Sequence, residues 1–173
     1  MILTDHLILR AWTDADRDPF AAMHADPEVM HDFPAPLTRA ESDAKLDRYQ
    51  TAIDQLGFGR WAMQRREDGR FLGYVGMLPI ADHYPLAPGA EIGWRMVRAA
   101  WGFGYATEGA RAAIRDGFGR VGFDEIIAFT ATSNARSRAV MTRLGMVRDA
   151  ARDFDILNAG RFVVYAARPP EAF

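Results

Sequence analysis

Cysteine is absent from the 173 residues, which excludes disulfides, thiolate zinc sites and a cysteine nucleophile. No apolar run approaches the roughly 20 residues needed to cross a bilayer, and Met1-Ile2-Leu3-Thr4-Asp5 lacks the basic region and apolar core of a leader. Neither sign of charge is in excess. The formal net charge is −2, so no global basic field recruits nucleic acid or an anionic membrane. Lysine is almost missing too: Lys45 is the only one, and arginine supplies the rest of the positive charge. His6, His24, His31 and His83 show no paired or HExxH-like spacing, so no metal site is expected. The expectation left is a cytoplasmic protein without metal, nucleic-acid or membrane partners.

What remains suits a folded domain. Hydrophobic residues are 49% and charged residues 25%, an ordinary balance for a globular chain. At this length one domain, residues 1–173, would bury about two-thirds of its unfolded surface. Leu7-Ile8-Leu9-Arg10-Ala11-Trp12 reads as a short strand. Thr13 and Asp16 resemble a capping box for a helix through Phe20, Met23 and His24, and Asp26-Pro27-Glu28-Val29-Met30 a second helical start. The Phe33-Pro34-Ala35-Pro36 turn follows. Thr38 with Glu41 opens a helix to about Leu56, ended by Gly57 and Gly59. Arg60–Arg66 and Phe71–Ile80 pair as a hairpin about Glu67-Asp68-Gly69. After a loop from Ala81 to Gly89 come a strand at Glu91–Val97 and a helix from Ala106 to Phe118, closed by Gly122. A buried strand at Ile126–Thr130, a helix from Asn134 to Leu144 with Gly145 as C′, and closing strands at Met146–Phe154 and Phe162–Ala167 complete the pattern, the last two separated by Asn158-Ala159-Gly160.

The stretch Trp101-Gly102-Phe103-Gly104-Tyr105-Ala106-Thr107-Glu108 lies between a strand and a helix start. Such a turn leaves backbone N–H groups free at the positive end of a helix dipole, where an anion, usually phosphate, can sit. Gly102 and Gly104 let a ligand approach the backbone; equally, a strand-to-helix turn can need glycine for itself. A dinucleotide-binding oxidoreductase fits poorly, because Thr107 occupies the third glycine position and the strand after Ile126 ends without an acidic residue.

Together, Glu91-Ile92-Gly93-Trp94, the octapeptide at 101–108, Asn134-Ala135-Arg136-Ser137 and Leu144-Gly145-Met146 resemble the GNAT N-acetyltransferase superfamily. The likeness is greatest to the RimJ/RimL branch, which acetylates N-termini of ribosomal proteins, and it covers essentially the whole chain. The resemblance implies an α/β (α+β) fold: a mixed, mostly antiparallel twisted sheet of about seven strands with helices on both faces. It implies acetyl-CoA as co-substrate and a primary amine as acceptor, either a protein N-terminus or a small molecule, attacked directly in a ternary complex. Homodimers are common in the family, so a homodimer is compatible with it.

The family's phosphate loop falls on Trp101, Gly104 and Ala106, with backbone N–H groups from Gly102 through Phe103 and Tyr105 to Thr107 around the pyrophosphate. Trp101 departs from the family's usual Arg or Gln. Pantetheine would lie along the Glu91–Val97 strand, where it splays from Ile126–Thr130. Asn134 would contact pantetheine or adenosine, or serve only as a helix N-cap. Acetyl transfer needs a base for the amine and an N–H donor for the developing oxyanion, for which Met96 or Val97 backbone is the candidate. It also needs a proton for the departing thiolate. Glu91 matches a family base and Ser137 a serine proposed as that acid, with Tyr165 as the alternative acid. The ordinary alternatives are a sheet-end carboxylate for Glu91, a hydroxyl bonded within its own helix for Ser137 and a packed strand tyrosine for Tyr165. Asp32 and Phe33 are expected acceptor-site walls. Asp153 and Asp155, two apart on one expected strand, could bind a cationic amine or simply be solvated. A non-catalytic acyl-CoA-binding module of the same fold is the alternative function.

Overall fold

Two reciprocal capping boxes start the helical layer as their sequence signatures require. Thr38 N–H donates to Glu41 Oε2 at 2.8 Å, while Glu41 N–H donates to Thr38 Oγ1 at 3.3 Å. Thr13 N–H donates to Asp16 Oδ2 at 2.8 Å, and Arg10 grips the same carboxylate at 2.7 and 2.8 Å. The computed structural model describes residues 1–33, 35–157 and 159–169; Pro34 of the expected turn after Phe33 and Asn158 of the expected 158–160 turn lie outside them. The helices are α1 (Arg17–Ala25), α2 (Arg39–Leu56), α3 (Tyr105–Asp116) and α4 (Ala135–Arg143).

The strands are β1 (Ile2–Leu3), β2 (Leu7–Arg10), β3 (Arg60–Arg65), β4 (Phe71–Pro79), β5 (Ala90–Met96), β6 (Ile126–Ala131), β7 (Val147–Arg148), β8 (Phe154–Ile156) and β9 (Gly160–Ala167). They form one open sheet in the order β1-β2-β3-β4-β5-β6-β9-β7, with β8 also paired to β9. Every pairing is antiparallel except β5 with β6. The described residues thus hold nine strands where about seven were expected.

Two expectations need correction. Asp26–Met30 makes a single turn, in which the N–H groups of Val29 and Met30 both donate to Asp26 O, and no helix follows. Met146–Phe154 is not one strand. Asp149 accepts from Arg152 Nε at 2.7 Å across a 3-10 turn at Ala150–Arg152, which breaks the run between β7 and β8. Local side-chain bonding defeats the strand propensity there.

Residues of β4 sort the two faces. Tyr74 packs on Tyr49 and Phe20, with ring centroids 5.2 and 6.0 Å apart, so α1 and α2 cover one face. Its neighbour Val75 must point the opposite way, and a Cβ built on Gly109 of α3 would lie 3.0 Å from Val75 Cγ1. The sheet is therefore covered on both faces, which explains why Leu72 through Met77 are all buried.

His24 is fully buried in the α1/α2 layer, with Nδ1 2.9 Å from Phe20 O. Burial, reinforced by the charges of Lys45 and Arg95, lowers its pKa from 6.5 to about 3. The unfolded chain therefore binds the extra proton between those values, and stability falls as pH drops through that window. Between pH 6 and 4 the wild type should lose roughly 1.4 kcal/mol per pH unit more than His24→Leu, read from urea unfolding at each pH. Parallel pH profiles for the two proteins would refute a neutral buried His24.

Candidate functional site

At the start of α3 a helix begins with no side chain to cap it. Gly104 is the N-cap with φ 84°, and Gly102 precedes it at φ 87°. The first backbone bond of the helix runs from Glu108 N–H to Gly104 O. Among the described residues, no N–H from 102 to 107 donates to a backbone or side-chain acceptor, which leaves six donors around one turn. A Cβ built on Gly102 or Gly104 would meet nothing within 4 Å, so the space above this backbone is open. Glu108, the one acid of the first turn, is held away from it by Thr4 Oγ1 at 2.6 Å and His6 N–H at 2.8 Å. The positive helix end therefore faces its opening without a counter-charge.

Trp101 ties this turn to the sheet, its indole N–H donating to Met96 O at 3.1 Å. Arg136 of α4 lies over the Trp101 ring at 4.2 Å, and Arg143 Nε donates to Thr107 Oγ1 at 3.3 Å. The cation that Trp101 does not supply thus arrives from α4. Asn134 caps α4 by accepting from Ser137 N–H at 3.0 Å. The half-buried Ser137 has no partner for its own hydroxyl among the described residues, and no bond back into its helix.

Beyond the turn the sheet opens. Strands β5 and β6 are in register only at Glu91↔Ile127. The N–H of Val97 donates to Leu72 O at 3.0 Å, which fixes the parity of the β4–β5 ladder. Alternate N–H groups, those of Trp94 and Met96, therefore point away from β4 into the splay. A cavity of about 1030 Å³ follows this opening, lined from Thr107, Asn134 and Ser137 at one end to Asp32, Phe33 and Tyr49 at the other. That volume is at the upper end for a ligand site.

The far end of the cavity lies on the α1/α2 face, where an unusual set of side chains meets. Arg60 on β3 reaches along the register Arg60↔Gly76↔Gly93. It donates to Gly76 O, and at 2.6 Å to Glu91 Oε1. Glycine at 93 makes that path: a Cβ there would stand 2.8 Å from Arg60 Nη2. Arg95, itself buried, is stacked 3.9 Å from the Phe33 ring and contacts Met30 Sδ at 3.0 Å. Lys45 from α2 lines the same space. Burial pushes its amine pKa down, a loss that Tyr74 opposes and Arg95 and Arg60 reinforce. For Tyr74 burial alone would raise the phenol, but Arg95, Lys45, Tyr49 and Arg60 outweigh it and bring it down to about 8.

Of the residues expected from sequence, Glu91, Met96, Trp101, Gly102, Gly104, Tyr105, Ala106, Thr107, Asn134, Ser137, Asp32 and Phe33 all line this cavity. Four others do not. Val97 cannot serve as the oxyanion donor, because Leu72 O already takes its N–H. Phe103 turns outward and stacks on Tyr105 at 5.7 Å, contributing backbone only. Tyr165 is buried in β9 under Arg148, 5.6 Å away, and does not reach the cavity. Asp155 is exposed and paired with Arg161 at 2.9 Å, while Asp153 precedes β8 and is bound by Arg148, with Arg161 4.0 Å away, so arginine already occupies both carboxylates. Sequence reasoning missed Lys45, Tyr49, Arg60, Tyr74 and Arg95. The available signal was a lone lysine four residues before Tyr49, together with arginines inside otherwise apolar strands.

Comparison with known proteins adds family and fold. The model of a family described as Acetyltransferase (GNAT) domain matches residues 6–147. The FsC-acetyl coenzyme A-N(2)-transacetylase of Aspergillus fumigatus is 35% identical over 128 residues, covering 70% of this chain and 54% of that protein. An acetyltransferase from Agrobacterium tumefaciens shares the fold with a TM-score of 0.82 at 23% identity, over 97% of this chain and 94% of the other. RimL, a ribosomal L7/L12 α-N-protein acetyltransferase solved with coenzyme A, shares it with a TM-score of 0.77 at 15% identity, over 95% of both chains.

Proposed function

The chain belongs to the GNAT acetyltransferase family, and on that premise we propose that it acetylates a primary amine by direct attack across the splayed sheet. It is an acyltransferase that uses acetyl-CoA, which supplies the acetyl group activated as a thioester. The observation that carries the reading is the uncapped turn at Gly102–Thr107, whose six free N–H groups open onto a cavity reaching the opposite face. Those donors would hold the pyrophosphate, and Arg136 and Arg143 would add positive charge at the same mouth.

Chemistry then divides between the two faces. The Met96 N–H, free in the splay, is the donor for negative charge developing on the carbonyl oxygen. Glu91 sits at the closed end of the splay with Oε1 fixed by Arg60, which leaves Oε2 to take the amine proton directly or through water. Ser137, with an uncommitted hydroxyl in the cavity lining, would supply the proton or hydrogen bond that the departing thiolate needs. The acceptor enters on the α1/α2 face between Phe33, Tyr49 and Tyr74. A RimL-like protein N-terminus and a small amine both remain within this reading.

Titration calorimetry with acetyl-CoA, CoA and NADH tests the site, followed by free-thiol release with an acceptor panel. Binding of both CoA species and not of NADH is the expected result. No CoA binding would reduce the glycine turn to a structural turn. Ser137→Ala should lower kcat by roughly 10²-fold, within the range for a proton-transfer group, while acetyl-CoA affinity changes less than twofold. Unchanged turnover would remove Ser137 from the mechanism.

A further inference from the structure

We propose that the acceptor amine carries a carboxylate, and that Arg95 and Lys45 on the α1/α2 face bind it. The inference rests on the acetyltransferase reading above and adds the class of acceptor. Its basis is a pair of cations in the deep half of the cavity that have no carboxylate partner. Three cations line that half, Lys45, Arg60 and Arg95. The lining carboxylates are Glu91, Asp32 and Glu28. Glu91 is occupied by Arg60 at 2.6 Å, Asp32 contacts the His31 ring at 3.2 Å, and Glu28 is exposed at the mouth. Among the described residues, neither Arg95 nor Lys45 forms an ion pair.

An unpaired guanidinium with 9% exposure is expensive. Its contacts are the Phe33 ring and a thioether, which accept little charge, and Tyr74 is its in-register neighbour on β4. A group this costly is explained when a ligand completes it, and a planar carboxylate matches the two-pronged edge of guanidinium. The same cations oppose the effect of burial on the Tyr74 phenol and bring it down to about 8. Such a field repels a polycationic amine and favours an amine joined to an acid. The aromatic walls at Phe33, Tyr49 and Tyr74 accommodate the apolar part of the same molecule.

The test is calorimetry on the CoA-saturated protein, so that no turnover is needed. Probes are ω-aminoalkanoates from glycine to 6-aminohexanoate and the aromatic amino acids, each against its own carboxamide. At least one carboxylate should bind tenfold or more tightly than its amide. Arg95→Met should erase that preference, Arg95→Lys should restore part of it, and Lys45→Met should weaken it severalfold. CoA affinity, measured first on each variant, should stay within twofold, which reports that the fold and the cofactor site persist. Failure of the wild type to bind CoA would instead strike the acetyltransferase reading itself. With CoA bound, an absence of any carboxylate preference, or a preference that survives Arg95→Met, overturns the proposal. So does an Arg95-dependent preference for O-phosphoethanolamine above every carboxylate, which would make the recognised group a phosphate.

Discussion

Gly104→Glu should abolish acetyl-CoA binding, with affinity reduced by at least about a hundredfold, while the protein still folds. Two separable costs arise at this position. Gly104 sits at φ 84°, and a non-glycine residue held in the left-handed region costs about 1–3 kcal/mol. At roughly 2–4 °C per kcal/mol for a chain of this size, the melting temperature should fall by about 2–12 °C. The second cost falls on the ligand. A Cβ at 104 meets no protein atom within 4 Å, so the new side chain occupies the opening over the free N–H groups. A carboxylate about 4 Å from a phosphate charge at an effective dielectric near 20 opposes binding by roughly 4 kcal/mol, about a thousandfold. Gly104→Ala carries the same backbone cost without the charge. It should therefore match the glutamate variant in stability and bind acetyl-CoA far better. Equal affinity of wild type and Gly104→Glu would show that the phosphate lies elsewhere.

That turn was legible in the sequence because its free N–H groups depend on local backbone. A strand, two glycines and a helix start specify free N–H groups wherever the tertiary structure places them. The two capping boxes were legible for the same reason, each being closed by residues three apart. The α1/α2 end of the cavity was not. Arg60, Tyr74 and Arg95 come from three strands, Lys45 and Tyr49 from a helix, and only the register Arg60↔Gly76↔Gly93 lays one guanidinium beneath the others. No local spacing encodes that register. Val97 shows the limit from the other side. It lies one residue past the end of β5, and which N–H groups face the splay depends on ladder parity, which the Leu72 bond settles against Val97. Asp153 and Asp155 were misplaced because a 3-10 turn and two arginines compete with the strand there. In this chain charge pairing, more than propensity, decides the C-terminal segment.

Gly76→Ala and Gly93→Ala alter in-register neighbours on β4 and β5, yet they should fail in opposite ways. A Cβ on Gly76 would lie 2.0 Å from the backbone oxygen of Gly59, at a φ of 147° that side chains rarely adopt. Gly59 O also accepts from Met77 N–H at 3.1 Å, so neither strand can give way without losing ladder bonds. A loss of more than about 4 kcal/mol is expected, in the exceptional range for single substitutions. A melting temperature at least roughly 10 °C lower follows. A Cβ on Gly93 would instead press on the Arg60 guanidinium at 2.8–2.9 Å, the far end of a flexible side chain. Arg60 can move, but only by releasing Glu91 Oε1. Stability should then fall by about 1–3 kcal/mol, as for a buried donor and acceptor partly unpaired. Turnover should fall about tenfold or more as the carboxylate loses its fixed orientation, with acetyl-CoA affinity unchanged. Thermal melts, calorimetry and thiol release on the two variants separate these outcomes. If Gly93→Ala turned over like wild type at similar stability, the Arg60–Glu91 pair would be packing rather than machinery, and Glu91 would no longer be the candidate base.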